Sequence, residues 1–275
     1  MKPTQANQVL NWLKDRVRKD RFSGLTLSIL FLVFCYITFL LAGLIEDVVT
    51  SDVIVYWDQH LALYLETIRT HQLVEFFLFF TFLGQPLLVV WGLALSIIGL
   101  IWTRLTIWIA PLVVSVITSV ALVYMGKQAL ARSRPEGSLF SMHSFSFPSG
   151  HSSIAVSLYG FMGLMFLIET KELTTRLVTF TLTFFIVTLV LLSRMFLGVH
   201  YLSDVIGGLL VGSLSVTLGL GVYFVQKFNI VKNVKLTENS QYYWKIMVLI
   251  AMFLLGWMGF EMFGESFFYQ DQLAK

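Results

Sequence analysis

Residues 24–45 read GLTLSILFLVFCYITFLLAGLI, without a single charged side chain. A helix rises about 1.5 Å per residue, and the hydrocarbon core of a bilayer is about 30 Å thick. A run of this length therefore spans a membrane, and in lipid its backbone polar groups are satisfied only within a helix or a closed barrel. Comparable runs recur at 86–102, 104–125, 151–168, 176–193, 204–226 and 243–264. Composition agrees: the chain is 57% hydrophobic and 13% charged, against about 25% charged for a soluble domain. The expected fold class is an all-α membrane protein. It has a six-transmembrane-helix bundle over 24–226 and a seventh C-terminal transmembrane helix at about 243–264, within a 227–275 tail.

The shorter apolar pieces need other roles. Residues 73–83 are apolar except Glu75, and Gly84-Gln85-Pro86 breaks them from the second span, leaving an interfacial or tilted piece. The mixed, aromatic stretch 52–70 reads as a helix lying at the membrane surface, and 6–21 as another on the opposite side. The run at 24–45 follows a long polar stretch and precedes no small-residue cleavage pattern, so it is expected to be a retained anchor. Cys35 has no partner for an internal disulfide and reads as a buried, inert thiol.

Basic residues concentrate on the cytoplasmic side of membrane proteins. Lys2, Lys14, Arg16, Arg18, Lys19 and Arg21 of the 1–23 tail, then Arg104, Lys171, Arg176, Lys227, Lys232, Lys235 and Lys245, fall on one side of a seven-span topology. That side is assigned to the cytoplasm. Lys127, Arg132, Arg134 and Arg194 stand on the other side, where basic residues are disfavoured. Both loops that carry them, 126–150 and 194–203, thus face outward, which predicts a multi-pass plasma-membrane protein with its site on the extracytoplasmic face.

Three clusters share that face. They are "KQALARSRP" with Lys127, Arg134 and Pro135; "PSGH", residues 148–151; and "SRMFLGVHYLSD" with Ser193, Arg194, His200 and Asp204. Arginine forks match phosphate oxygens in pairs, and lysine supplies a point charge. Ser149 fits as the N-cap of the fourth span, whose free N–H groups and dipole suit an anion. Gly150 allows close backbone approach. His200 and Asp204 are four residues apart, so a carboxylate can hold one imidazole nitrogen and leave the other as nucleophile or base. His151, from another helix, can pass a proton to a leaving oxygen. Together these groups suit phosphoryl transfer through a phosphohistidine, with no cofactor or metal expected because the cations stabilise the transferred group.

The spacings K-x6-R-P, P-S-G-H and S-R-x5-H-x3-D resemble the signature of the type-2 phosphatidic acid phosphatase superfamily. It includes the lipid phosphate phosphatases, bacterial phosphatidylglycerophosphatase B, undecaprenyl pyrophosphate phosphatases and the vanadium haloperoxidases. All the specified positions are present between 127 and 204. The resemblance implies that Lys127, Arg134, Ser149, Gly150 and Arg194 bind phosphate, that His200 is the nucleophile with Asp204 as its partner, and that His151 is the acid. It implies hydrolysis of a lipid phosphomonoester or pyrophosphate, such as undecaprenyl pyrophosphate, phosphatidylglycerophosphate or phosphatidic acid. The partners are then a membrane lipid phosphate and the bilayer, with no nucleic acid. The seventh span departs from the six usual in this superfamily.

Other readings differ in what they require. A lipid phosphotransferase shares the first half-reaction. A transporter or flippase needs charges near the midplane, whereas these sit at one end. A haloperoxidase fits poorly with burial in a membrane. Arg69, Arg104 and Arg132 read as snorkelling anchors, although Arg132 can also help attract an anion. His60, His71 and His143 read as structural, and Glu46, Asp47, Asp52 and Asp58 as a solvated acidic loop.

Overall fold

The computed structural model describes residues 23–231 except 141 and 143. Among them there is helix and no strand. The surface helix expected at 6–21 and the seventh span at 243–264 lie outside the described residues.

Helix α1 is Ser23–Val49, α2 Val53–Thr67, α3 His71–Phe82, α4 Pro86–Trp102 and α5 Ile109–Leu130. Helix α6 runs over Gly150–Glu169 with a π-helical turn at Ala155–Gly160. Helix α7 is Leu173–Phe196 and α8 is Leu202–Val231. Five of these are long and apolar enough to cross a membrane alone. The pair α3 and α4, bent by 47° at the break, makes a sixth. The six-span bundle expected from the apolar runs is therefore present, with the second span recruited from two pieces.

The ends follow local chemistry. Asp52 caps α2 through its carboxylate and Val53 N–H at 2.7 Å, and the Thr70 hydroxyl caps α3. Pro86 begins α4, where its missing N–H costs nothing. Ser149 caps α6, as its position after Pro148 suggests. Within the spans, Ser96 and Ser215 return their hydroxyls to carbonyls one turn back, at 2.6 and 2.8 Å. Both serines are fully buried between helices, where an unbonded hydroxyl would be costly, and these local bonds satisfy them.

Helices α5, α6 and α8 form the centre, with α7 against α6 and α1 against α8. Close approach of α8 to α6 depends on Gly208 and Gly212. A Cβ at Gly208 would sit 2.5 Å from the Ser149 carbonyl oxygen, and one at Gly212 2.7 Å from that of Ser153. Small residues four apart are the usual means of bringing helices this near in lipid. At the end of the bundle away from the three motif clusters, Trp108 stacks on Tyr223 with centroids 3.7 Å apart and donates to Glu169 at 2.9 Å. Helix α1 is mostly bare, with Phe31, Leu32, Tyr36 and Phe39 exposed. Cys35 lies exposed on the same helix and is not the buried thiol expected. A lone outer span has one face on α8 and the rest toward lipid.

Candidate active site

The three clusters arrive at one end of the bundle from four helix termini. Lys127 stands in the last turn of α5, and Arg134 follows in the 131–149 loop. Ser149, Gly150 and His151 open α6. Arg194 is in the last turn of α7, His200 lies in the short link, and Asp204 is in the first turn of α8. All eight residues expected from the sequence thus sit at the same end.

Arg134 joins two of the clusters. Its Nε donates to the Ser144 carbonyl at 2.7 Å and its Nη1 to the Val199 carbonyl at 2.6 Å. Nη1 also lies 3.3 Å from Nε2 of His200. A guanidinium has only donors. Nε2 therefore presents its lone pair, which puts the ring proton on Nδ1. Nδ1 in turn faces Asp204 Oδ2 at 3.4 Å, in ion-pair range though off the line of a hydrogen bond. Lys127 donates to the Phe145 carbonyl, which ties the end of α5 to the same loop.

Asp204 is fully buried and richly supported. Oδ2 accepts the Tyr201 N–H at 2.8 Å, while Oδ1 accepts from Arg132 at 2.7 Å and from the Ser146 hydroxyl at 3.4 Å. Its backbone carbonyl accepts the Ser149 N–H at 2.9 Å, so α8 also holds the cap of α6. The Ser149 hydroxyl accepts from Ser152 Oγ at 2.9 Å and lies 3.5 Å from the Ser152 amide nitrogen.

Among the described residues, three buried side chains carry nitrogens with no hydrogen-bond partner: Nε2 of His151, Nε and Nη2 of Arg194, and Nδ1 of His200, which has Asp204 beside it at ion-pair distance. Arg194 is 2% exposed and makes one bond, from Nη1 to the Thr81 hydroxyl. Buried polar groups are ordinarily paired. Unpaired donors gathered beside a lysine and a second arginine suit a ligand rich in acceptor oxygens. Burial lowers the readiness of His200 to take a proton, and the charges of Arg194, Arg134 and Lys127 lower it further. Its imidazole is neutral at neutral pH, as a nucleophile must be.

Several residues here were not read as functional in the sequence. Arg132, taken there for a snorkelling anchor, is instead bonded to Asp58, Ser203 and Asp204. Asp58, taken as part of a solvated acidic loop, is 1% exposed. Arg69 is also no free anchor, since its Nε bonds the Phe196 carbonyl at 2.8 Å and its Nη1 bonds that of Gly137 at 2.5 Å. Thr81 holds Arg194. Gly84 abuts the His151 ring so closely that a Cβ there would lie 2.5 Å from Cδ2. None of these belongs to the three spacing patterns. The GQP break announced only that a bend exists, and a buried aspartate on a surface-like helix carries no local mark. His60 lies tilted against the Tyr56 ring, 4.0 Å between centroids, and His71 faces Glu75. His143 lies outside the described residues.

Fold and site together define a polytopic helical membrane protein with a cationic, histidine-bearing cluster at one end of its bundle. Residues 108–230 match the PAP2 superfamily model. Over 108 residues the chain is 35% identical to phosphatidylglycerophosphatase B of Bacillus subtilis strain 168, covering 37% of this chain and 47% of that protein. The chain therefore spans about half the length of the curated relative it matches. It is also similar to the crystal structure of the first transmembrane PAP2 type phosphatidylglycerolphosphate phosphatase from Bacillus subtilis. That match has a TM-score of 0.57 and 26% identity, and covers 77% of this chain and 98% of the other. A further match is Aquifex aeolicus LpxE, with a TM-score of 0.48, 25% identity, and 59% and 94% coverage.

Proposed function

We propose that the protein is a membrane lipid phosphatase that hydrolyses a lipid phosphomonoester or pyrophosphate through a phosphohistidine on the extracytoplasmic face. The observation that carries this reading is the His200 arrangement: Nε2 beside Arg134, Nδ1 toward Asp204, and the unpaired nitrogens of Arg194 and His151 in the same cluster. The PAP2 superfamily match and the sequence and structural likeness to Bacillus subtilis phosphatidylglycerophosphate phosphatase support a phosphatase, and that name puts phosphatidylglycerophosphate first among substrates.

In the first step the lone pair of His200 Nε2 attacks phosphorus in line. A P–N bond forms and the P–O bond to the lipid breaks, while His151 gives its proton to the departing oxygen. The bound phosphate's negative charge offsets the surrounding cations, so His151 holds that proton in the complex. Lys127, Arg134, Arg194 and the first-turn N–H groups of α6 that follow Ser149 stabilise charge on the equatorial oxygens. The phosphorylated ring is positive, and Asp204 supports it through Nδ1–H. In the second step His151 takes a proton from water, the water oxygen attacks phosphorus, and the P–N bond breaks. Inorganic phosphate leaves, and both histidines return to their starting protonation.

The positive charge of three side chains takes the place of a metal in this scheme. The test is phosphate release by purified protein in detergent with excess EDTA, across phosphatidylglycerophosphate, phosphatidic acid and undecaprenyl pyrophosphate. Release that survives EDTA and is abolished in His200→Ala is expected, with the order of kcat/KM naming the substrate group. Release lost with EDTA, or retained in His200→Ala, overturns the mechanism. Transfer of labelled phosphate to a second lipid, with none to water, overturns hydrolysis in favour of phosphotransfer.

A further inference from the structure

We infer that Asp58 is a positioning residue for this reaction, acting through Arg132 on the carboxylate of Asp204; the inference rests on the phosphatase reading above. Asp58 comes from α2, well before the family-matched stretch at 108–230. Its Oδ2 accepts from Arg132 Nη2 at 2.7 Å and from the Ser203 hydroxyl, and its Oδ1 accepts the Ser203 N–H at 2.9 Å. The other arm of Arg132 lies 2.7 Å from Asp204 Oδ1 and 2.6 Å from Ser203 Oγ. Its guanidinium also covers the Tyr201 ring, 4.6 Å from the centroid. Two buried carboxylates thus share one arginine fork.

A structural staple between α2 and α8 needs one carboxylate and one cation. Here the second carboxylate is the partner of His200, and its oxygens are divided in use. Oδ1 is held by Arg132 and Ser146, while Oδ2 is left to the Tyr201 N–H and the imidazole. Asp58 draws part of the guanidinium's charge away from Asp204 and fixes the angle of the fork. Without it, Arg132 turns its whole charge on Asp204 and weakens support for the positive ring that forms when Nε2 bonds phosphorus. Phosphate binding rests on Lys127, Arg134 and Arg194, none of which touches Asp58. The effect therefore falls on kcat and spares KM.

The charge change has a second, signed consequence. His200 stands in the field of Arg194, Arg134 and Lys127, with Asp204 on its Nδ1 side, Arg132 and Asp58 behind that carboxylate, and His151 in the same cluster. Removing the negative charge of Asp58 leaves the cluster more positive and His200 harder to protonate. The acid limb of the rate profile then moves to lower pH.

The test compares wild type, Asp58→Asn and Arg132→Lys as full chains in lipid nanodiscs, with phosphatidylglycerophosphate as probe and EDTA present. Asn keeps the shape of Asp58 and removes its charge, while Lys keeps the charge of Arg132 and removes the fork. The expected result is kcat reduced at least about tenfold in both variants with KM within about threefold, the pattern of a lost transition-state interaction. The acid limb of Asp58→Asn is expected at lower pH than that of wild type. Wild-type kcat and an unmoved limb in Asp58→Asn, with only Tm lowered, overturn the inference and leave a plain staple. If Asp58→Asn does not fold, Arg132→Lys decides: unchanged kcat overturns the inference, and reduced kcat at constant KM supports it. A wild-type protein that releases no phosphate from any lipid overturns the phosphatase reading itself, and the inference with it.

Discussion

His200 shows how position decides chemistry at a single residue. Its Nε2 lies 3.3 Å from Arg134 and its ring is 4% exposed. Burial first, then Arg194, Arg134 and Lys127, push its proton affinity well below the ordinary value of 6.5. His200 therefore stays neutral through neutral pH, as its proposed nucleophilic role requires, and takes a proton only in stronger acid. The acid limb of kcat/KM is expected below pH 6.5, once the substrate's own phosphate ionisation is titrated separately; a limb assigned to His200 at or above that value contradicts the geometry. Stability carries the same sign. Below about pH 6.5 the unfolded chain gains a proton that folded His200 refuses, so stability falls with pH from that point downward to the folded-state value. Asp204→Asn replaces the acceptor facing Nδ1 with an amide that can donate, and by analogy with a miscast imidazole tautomer it is expected to reduce kcat by roughly 10²- to 10⁴-fold. Steady-state kinetics on the folded variant checks this, and an unchanged rate removes Asp204 from the mechanism. That the eight candidate residues meet at one end of the bundle was legible from spacing, because the residues within each cluster lie close together along the chain and the apolar runs between the clusters set which end each one reaches. Arg132 was misread because a lone arginine near a span end looks the same whether it snorkels or bridges two carboxylates.

Among the elements, the broken second span supports the site from outside the three clusters. Helices α3 and α4 meet at 47° around Gly84, which places Thr81 on Arg194 and Gly84 on His151. The bend was legible in Gly84-Gln85-Pro86. Its purpose was not, since the contact partners lie 67 and more residues away along the chain. Gly84→Ala puts a methyl 2.5 Å from the His151 ring, which has to move. The expected outcome is a destabilisation of about 1–3 kcal/mol, typical of overpacking. A loss of kcat larger than the stability change explains should accompany it, read from single-turnover rates on the folded fraction. A variant with wild-type kcat contradicts a positioning role for this corner. Five of the described spans were legible from length and apolarity alone, because a bilayer sets one thickness for all of them, whereas the second, expected at 86–102, reaches that length only with α3 joined to it. The surface-like reading of 52–70 missed Asp58, whose burial depends on where α8 begins.

For the whole molecule, the charge pattern supports the proposed orientation of the bundle. In that orientation the clustered cations at the end of α5, the end of α7 and the loop between α5 and α6 run against the usual bias, as the proposed site outside the cytoplasm requires. Glu136, exposed in the 131–149 loop, and Lys171, exposed between α6 and α7, report the two sides. In a Cys35→Ser background, Glu136→Cys is expected to react with a membrane-impermeant maleimide on intact cells. Lys171→Cys is expected to react only after permeabilisation. The reverse pattern inverts the topology and places the site in the cytoplasm.

The most direct measurement is a rapid acid-free quench of the protein mixed with phosphatidylglycerophosphate labelled on its terminal phosphate. A phosphoprotein that is stable to base and labile to acid, formed before phosphate release in wild type and absent in His200→Ala, is the expected result. Turnover in wild type with no such intermediate, or an intermediate that persists in His200→Ala, would contradict nucleophilic attack by His200.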